Sequence, residues 1–223
     1  MTPWTALRVV LASVLLAAAA PARFTPARYQ SGSPPPTAVR AVGGGEVFVE
    51  ATVTDTGRVA DVSLLRTTPP FTSDVAAAVR AWTFTPAAEE KTADDDAGGT
   101  AGMRPVTSKV LVAAVFRPPT LNTPTYGEQP KGVAPASPDV AYPTSTVMPP
   151  FPPNALFDGT VLLEGHVGSD GTLIDVKVLR SAGAFDGPAA DALRKWTFRP
   201  ATRQGRAVDA YVYVAMSFRQ PVT

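Results

Sequence analysis

An internal duplication constrains the fold of this chain more than any other feature of its sequence. Residues 45–87 align without gaps on residues 159–201, and 18 of the 43 aligned pairs are identical. Abundant alanine and valine could produce a few of these matches, but not the shared glycine, aspartate, arginine, tryptophan and proline. The chain is therefore predicted to contain one folding unit twice. Identical pairs include Gly57 and Gly171, Arg66 and Arg180, Trp82 and Trp196, Phe84 and Phe198, and Pro86 and Pro200.

Each copy begins with the pattern of a β-hairpin. Apolar and polar residues alternate over residues 160–168, and the first copy repeats the parity, which predicts a half-buried strand. A turn containing Gly57 or Gly171 follows, where glycine suits a positive φ. A second strand is predicted over residues 58–65 and 172–179, so the two strands pair as a hairpin.

Each copy continues with a helix and a final strand. The helix is predicted over residues 73–81 and 187–195, with Thr72 or Asp186 as its cap. One face of each helix is apolar and packs on the sheet, and Trp82 and Trp196 are expected to anchor the two cores. The predicted class is α+β, with two tandem small domains joined by a Pro-rich linker. Each domain is a three-stranded antiparallel sheet with a helix packed on one face, in the order β-β-α-β.

Proline-rich stretches mark the boundaries of the two copies. Eleven of the 24 prolines lie within residues 118–153, and this density favours polyproline II over sheet or helix. An acidic insertion at residues 87–105 lengthens the first copy but lacks the ligand spacing of an EF-hand. The predicted divisions are a signal peptide or short N-terminal anchor (1–22), a linker (23–38), repeat 1 (39–118), a Pro-rich linker (119–141) and repeat 2 (142–221).

A short apolar run lies near the N-terminus. Residues 9–20 are apolar apart from Ser13, and Arg8 precedes them. A helix of this length reaches about 18 Å, well short of a hydrocarbon core of roughly 30 Å. The run therefore predicts a secretory signal peptide, with an uncleaved anchor as the alternative. Either alternative places the rest of the chain outside the cytoplasm.

Composition excludes several classes of function. The chain has 20 basic and 19 acidic residues, so no net field attracts nucleic acid. The absence of cysteine excludes disulfides, thiolate metal sites and a cysteine nucleophile. The one histidine, His166, is expected on a strand surface without other metal ligands. The sequence predicts no enzyme, no metal and no small-molecule cofactor. Glu50 and Glu164 are expected to form cross-strand ion pairs with Arg66 and Arg180.

The second copy carries a resemblance to a known family. Its motif runs from Asp170-Gly171 through Val178-Leu179-Arg180 to residues 192–201, which are Ala-Leu-Arg-Lys-Trp-Thr-Phe-Arg-Pro-Ala. This motif resembles the C-terminal domain of TonB, the periplasmic energy transducer of Gram-negative bacteria. The first copy is similar over about residues 41–117. Tyr142-Pro143 stands where that family tends to place Tyr-Pro.

The resemblance implies an exported, periplasmic protein-interaction module. In that family, a segment of an outer-membrane transporter pairs as an added strand with the last strand of the domain. By position, the docking edge here would be residues 208–218, and the resemblance implies energy-coupled transmembrane transport. The alternative is a cell-envelope scaffold that binds another protein without energy transduction. Inner-membrane attachment would follow if the N-terminus is not cleaved. The residues expected at the partner site are Tyr142, Pro143, Tyr211, Val212, Tyr213 and Val214.

Overall fold

The computed structural model describes residues 23–36, 43–91, 102–119 and 132–221. The predicted signal peptide or anchor at residues 1–22 lies outside the described residues. So do residues 92–101 of the predicted insertion and residues 120–131 of the predicted Pro-rich linker. Among the residues described, no helix is both long and apolar enough to cross a membrane.

The described elements combine short helices with many strands, which confirms the α+β class. The first half contains β1 (Phe24–Thr25), β2 (Arg28–Ser31), β3 (Gly45–Val53), β4 (Val59–Arg66), α1 (Phe71–Arg80), β5 (Thr83–Thr85), β6 (Ala87–Glu90), β7 (Met103–Val106) and β8 (Ser108–Phe116). The second half contains β9 (Tyr142–Ser145), β10 (Gly159–Val167), β11 (Leu173–Arg180), a 3-10 turn (Gly183–Phe185), α2 (Asp186–Leu193), β12 (Thr197–Arg199), β13 (Ala201–Arg203), β14 (Arg206–Val208) and β15 (Ala210–Phe218).

The long strands form one continuous six-stranded sheet in the order β11-β10-β15-β8-β3-β4. Within each repeat, neighbouring strands are antiparallel. At the junction β15 pairs with β8 in parallel, from Val212 opposite Leu111 to Ser217 opposite Phe116. The sequence predicted two sheets separated by a linker, and the structure corrects this expectation. In an isolated repeat, the last strand would have an open edge. In this structure, the edges of β8 and β15 pair with each other.

The two helices pack on opposite faces of this sheet. β8 and β15 are the equivalent last strands of the two repeats, and they pair in parallel. The repeats are therefore related by a half-turn about an axis parallel to these strands. This rotation reverses the face of the sheet that each repeat presents. Accordingly, α1 packs with one hydrophobic cluster, which includes Val110 of β8. The helix α2 packs with the other cluster, which includes Val212, the residue of β15 equivalent to Val110.

Both faces of the central strands are buried, whereas the alternation predicted half-buried strands. Phe48, Leu162 and Tyr213 lie on the faces turned away from the helix of their own repeat, yet each is fully buried. Residues 23–36 cover this face of the second repeat, and residues 132–148 cover it in the first. The N-terminal segment expected to be a linker (23–38) thus contains strands, since β2 pairs with β5. In the second copy, β9 at the start of the predicted repeat 2 pairs with β12 in the same way.

The insertion contains a small sheet, and both predicted helix caps are wrong. Within residues 87–105, β6 pairs with β7, and β1 extends this small sheet. Thr72 lies inside α1, which has no side-chain cap. Asp186 does not cap α2. Its carboxylate accepts hydrogen bonds from the Ser181 hydroxyl and from the Ala182 amide at 2.7 Å, so it stabilises the turn that enters the helix.

The predicted hairpin glycines adopt a positive φ, +80° at Gly57 and +85° at Gly171. A Cβ at either position would collide with a backbone carbonyl oxygen, that of Phe84 or Phe198. The glycine therefore serves both the left-handed backbone and the close approach of the chain that leaves the helix. This double requirement accounts for its presence in both copies.

We expect Gly57→Ala to lower the free energy of unfolding by about 3 kcal/mol or more, because strain at a positive φ adds to the steric overlap. The matched control is Gly205→Ala, where φ is +75° but a Cβ meets nothing within 4 Å. This control carries only the left-handed cost of about 1–2 kcal/mol. Urea denaturation measures both, and equal losses would contradict the role assigned to the close approach.

Candidate functional site

The predicted docking strand lies in the middle of the sheet. β15 carries Tyr211, Val212, Tyr213 and Val214, and it is hydrogen-bonded to β10 on one side and to β8 on the other. It is therefore not an edge strand in this arrangement. The expectation of an open edge at residues 208–218 is corrected, because the first repeat supplies the strand that covers it.

Tyr213 is the centre of an aromatic cluster that joins three parts of the chain. The centroid of its ring lies 5.9 Å from that of Tyr29 in the N-terminal segment. The ring centroids of Trp82 and Phe84 in repeat 1 lie 6.3 and 5.6 Å away. The Tyr213 hydroxyl accepts a hydrogen bond from the Tyr29 amide at 2.8 Å and donates one to the Ala27 carbonyl at 3.4 Å. Burial raises the pKa of Tyr213 far above its ordinary value, so the phenol stays neutral.

Tyr211 lies at the rim of the same face. Its ring stacks on His166 at 4.9 Å, and the Arg28 guanidinium lies 4.2 Å from the ring centroid. Arg28 also donates to the Tyr211 hydroxyl at 3.2 Å and to the buried Glu164 carboxylate. Arg28 thereby fixes the N-terminal segment to the second repeat through a cation–π contact and an ion pair.

Tyr142 and Pro143 lie in β9, on the other face of the sheet from Tyr213. Tyr142 is buried and packs edge-to-face on Phe48 of the first repeat, with ring centroids 6.0 Å apart. Pro143 is paired with Phe198 of β12. Tyr142 shares its cluster with Val212 and Val214, whereas Tyr211 and Tyr213 contact the opposite cluster. The structure does not bring the six predicted residues to one surface.

Trp82 and Trp196 occupy equivalent, buried positions. Each indole N–H donates to a backbone carbonyl, that of Ser33 at 2.8 Å and that of Val147 at 3.0 Å. The acceptors, like the tryptophans, are 114 residues apart. Both tryptophans therefore also hold the segment that precedes their repeat.

Three buried glutamates connect these preceding segments to the sheet, and the two with predicted ion pairs have other partners. Glu50 accepts from the Ser137 amide at 2.9 Å and pairs with Lys109, not Arg66. Glu164 pairs with Arg28 instead of Arg180. Arg66 pairs with Glu46 at 3.3 Å. Burial raises the pKa of Glu46, and the Thr146 hydroxyl donates to its carboxylate at 2.7 Å.

The N-terminal segment is the component that sequence reasoning missed. A signal for it existed, because the offset of 114 continues upstream of Gly45. Ala27 matches Ala141, Ser31 matches Ser145, and Pro35-Pro36 matches Pro149-Pro150. The composition around Pro35-Pro36 predicts a linker, whereas these prolines belong to the repeated unit.

Tyr213, Trp82, Phe84 and Tyr142 are buried, so these aromatic side chains are not available to a partner. Among the residues that the structure describes, no group of three or more His, Asp or Glu side chains could hold a metal ion. What the described chain offers a partner is strand edges and the surfaces beside them.

Comparison with known proteins finds matches to parts of the chain. A family model described as Gram-negative bacterial TonB protein C-terminal matches residues 33–98 and 151–220. Protein tonB2 of Pseudomonas aeruginosa is 37% identical over 76 residues, which cover 32% of this chain and 28% of the relative. The chain thus aligns with less than a third of that protein's length. No solved structure matches the chain significantly.

We expect Tyr213→Phe to lower the free energy of unfolding by about 1–3 kcal/mol, because the Tyr29 amide loses its acceptor in a part-buried hydrogen bond. Tyr211→Phe is the matched control. It removes a hydroxyl whose bond to Arg28 is exposed, and its cost should stay within about 0.5 kcal/mol.

Chemical denaturation compares the two variants, and limited proteolysis reports on the N-terminal segment. Faster cleavage near Tyr29 in Tyr213→Phe, but not in Tyr211→Phe, is the expected result. Equal stability of the two variants would show that the Tyr213 hydroxyl does not hold this segment.

Proposed function

Because this chain belongs to the family of the Gram-negative bacterial TonB protein C-terminal domain, we propose that it is a periplasmic protein-interaction module. In this proposal, it docks on outer-membrane transporters by strand addition and takes part in energy-coupled transport. The observation that carries the proposal is the match of two segments, one in each repeat, to that family. The similarity to a protein named tonB2 supports it.

The covered last strand sets a condition on such docking. A transporter segment that added to β15 would have to take the place of β8, which pairs with six residues of β15. In this exchange, the incoming strand would replace the lost backbone hydrogen bonds. It would nevertheless expose the apolar residues packed between the repeats. Docking at β15 therefore requires an opened form of the sheet.

The pairing of β15 with β8 also favours a second candidate function, a cell-envelope scaffold without energy transduction. In this alternative, β8 is the permanent neighbour of β15, and partners bind elsewhere on the molecule. The protein is non-catalytic in both proposals, and its place is the cell envelope, as for the family. Attachment to the inner membrane depends on residues 1–22.

A reversible cross-link between β8 and β15 separates the two proposals. Ala114 and Ala215 are directly paired, face the same cluster and are both buried. Neighbouring strands lie about 4.8 Å apart, which is within the Cα range of a disulfide. The chain has no cysteine of its own, so Ala114→Cys/Ala215→Cys would form one defined bridge.

We expect the reduced double variant to bind synthetic peptides that copy N-terminal segments of outer-membrane transporters. Oxidation should weaken that binding at least roughly tenfold, because the bridge keeps β8 on β15. Fluorescence anisotropy with labelled peptides measures both states of the same protein. The control is Ala51→Cys/Val62→Cys, a directly paired position within repeat 1, whose oxidation should leave binding unchanged.

Two other outcomes would overturn docking at the last strand. Equal binding by the oxidised and reduced forms would locate the contact away from β15. Absence of binding in both forms, with the fold intact by circular dichroism, would contradict transporter docking and leave the scaffold function.

A further inference from the structure

The six-stranded sheet ends on two equivalent strands, β4 and β11, whose surroundings differ. Each strand carries two bulges at equivalent places. One lies between the partners of Phe48 and Val49 (Leu162 and Leu163 in repeat 2), and the other between the partners of Thr52 and Val53 (His166 and Val167). A bulge directs backbone groups away from the regular ladder. The regular edge of each outer strand is therefore the stretch between its bulges, residues 61–64 in β4 and 175–178 in β11, and only there could the sheet be extended.

The chain itself covers part of the β4 edge. The amides of Val133 and Ala134 donate to the Leu65 carbonyl at 2.6 and 3.5 Å. The equivalent carbonyl in β11 is that of Leu179, and among the described residues no such loop segment donates to it. In the part of the chain that the structure describes, β11 is therefore the edge open to another strand.

The side chains of β11 are complementary to those of a second β11 in antiparallel orientation. Asp175, Val176, Lys177 and Val178 pair in regular succession with β10. If two β11 strands meet with Val176 opposite Val176, each Asp175 lies opposite a Lys177. Directly opposed residues share a face, and opposite charges at such positions are favourable.

The side chains of β11 are exposed enough to contact a second copy of the chain. Asp175 and Lys177 are exposed, and the apolar Ile174 and Val178 are 58% and 36% exposed. Val178 ends the regularly paired stretch, and Ile174 lies at the bulge beside Asp175. An open edge with partly exposed apolar side chains invites strand pairing.

The first repeat does not carry this pattern. At the position equivalent to Lys177, β4 has Ser63, so Asp61 would face a serine in the corresponding pairing. Together with the covering by Val133 and Ala134, this makes β4 a poor partner for a second copy. Of the two outer strands, only β11 has charges that match those of a second copy of itself.

We propose that two copies of this protein associate through β11, in antiparallel register centred on Val176, to form a two-fold symmetric dimer with a sheet continuous across both. A two-fold axis perpendicular to the sheet produces this isologous contact. The proposal does not depend on transporter docking, since β11 and β15 are separated by β10.

The experiment measures the mass of the full chain at increasing concentration by analytical ultracentrifugation. The wild type should dimerise. Asp175→Lys and Lys177→Asp each place like charges opposite one another at two symmetric positions, and each should weaken dimerisation roughly tenfold. The double variant Asp175→Lys/Lys177→Asp restores opposite charges and should recover dimerisation. The matched control, Asp61→Lys in β4, should leave it unchanged.

Each other outcome would overturn the proposal. A wild type that remains monomeric at about ten times the highest concentration expected in the envelope lacks the contact. A dimer that neither single variant weakens uses another surface, as does one that Asp61→Lys disrupts. If both single variants weaken the dimer but the double variant does not recover it, the register centred on Val176 is wrong. Circular dichroism of each variant separates these results from unfolding.

Discussion

The parallel pairing of β8 with β15 is the interaction on which the rest of this structure depends. It converts two three-stranded sheets, each too small to bury both faces, into one six-stranded sheet with a shared core. Small domains without disulfides have little stability of their own, so sharing a core stabilises both repeats. The pairing also determines which surfaces remain for partners, because it removes the last strand of each repeat from the edge.

The pairing has a second consequence for the segments that precede the repeats. Since the two helices lie on opposite faces, each repeat leaves one face of its strands without a helix. The N-terminal segment covers this face in repeat 2 through Arg28 and Tyr29, and residues 132–148 cover it in repeat 1. Each segment also pairs with its own repeat, so it crosses the junction. The buried glutamates Glu50 and Glu164 are equivalent residues, and each binds one of these segments, Glu50 through Ser137 and Glu164 through Arg28.

Much of the local structure could be predicted from the sequence. The duplication, the strand alternation, the positive φ at Gly57 and Gly171 and the α+β class all follow from residue spacing and turn chemistry. The candidate site could not be assembled in the same way. Residue patterns show that β15 is a strand, but not what lies beside it. The N-terminal segment could have been predicted as part of the repeat, because the offset of 114 extends to Ala27 and Ala141. Its prolines, however, indicated a linker.

The sequence by itself determined the repeated unit, its elements and its family, because these depend on periodicity, turns and local motifs. Only the tertiary structure decided that the two units share one sheet, that Tyr142 and Tyr213 lie on opposite faces, and that β11 is the open edge. The physical reason is that strand pairing joins residues about 100 positions apart, such as Leu111 and Val212. Edge strands have interchangeable backbone groups, so no local pattern specifies which edge meets which.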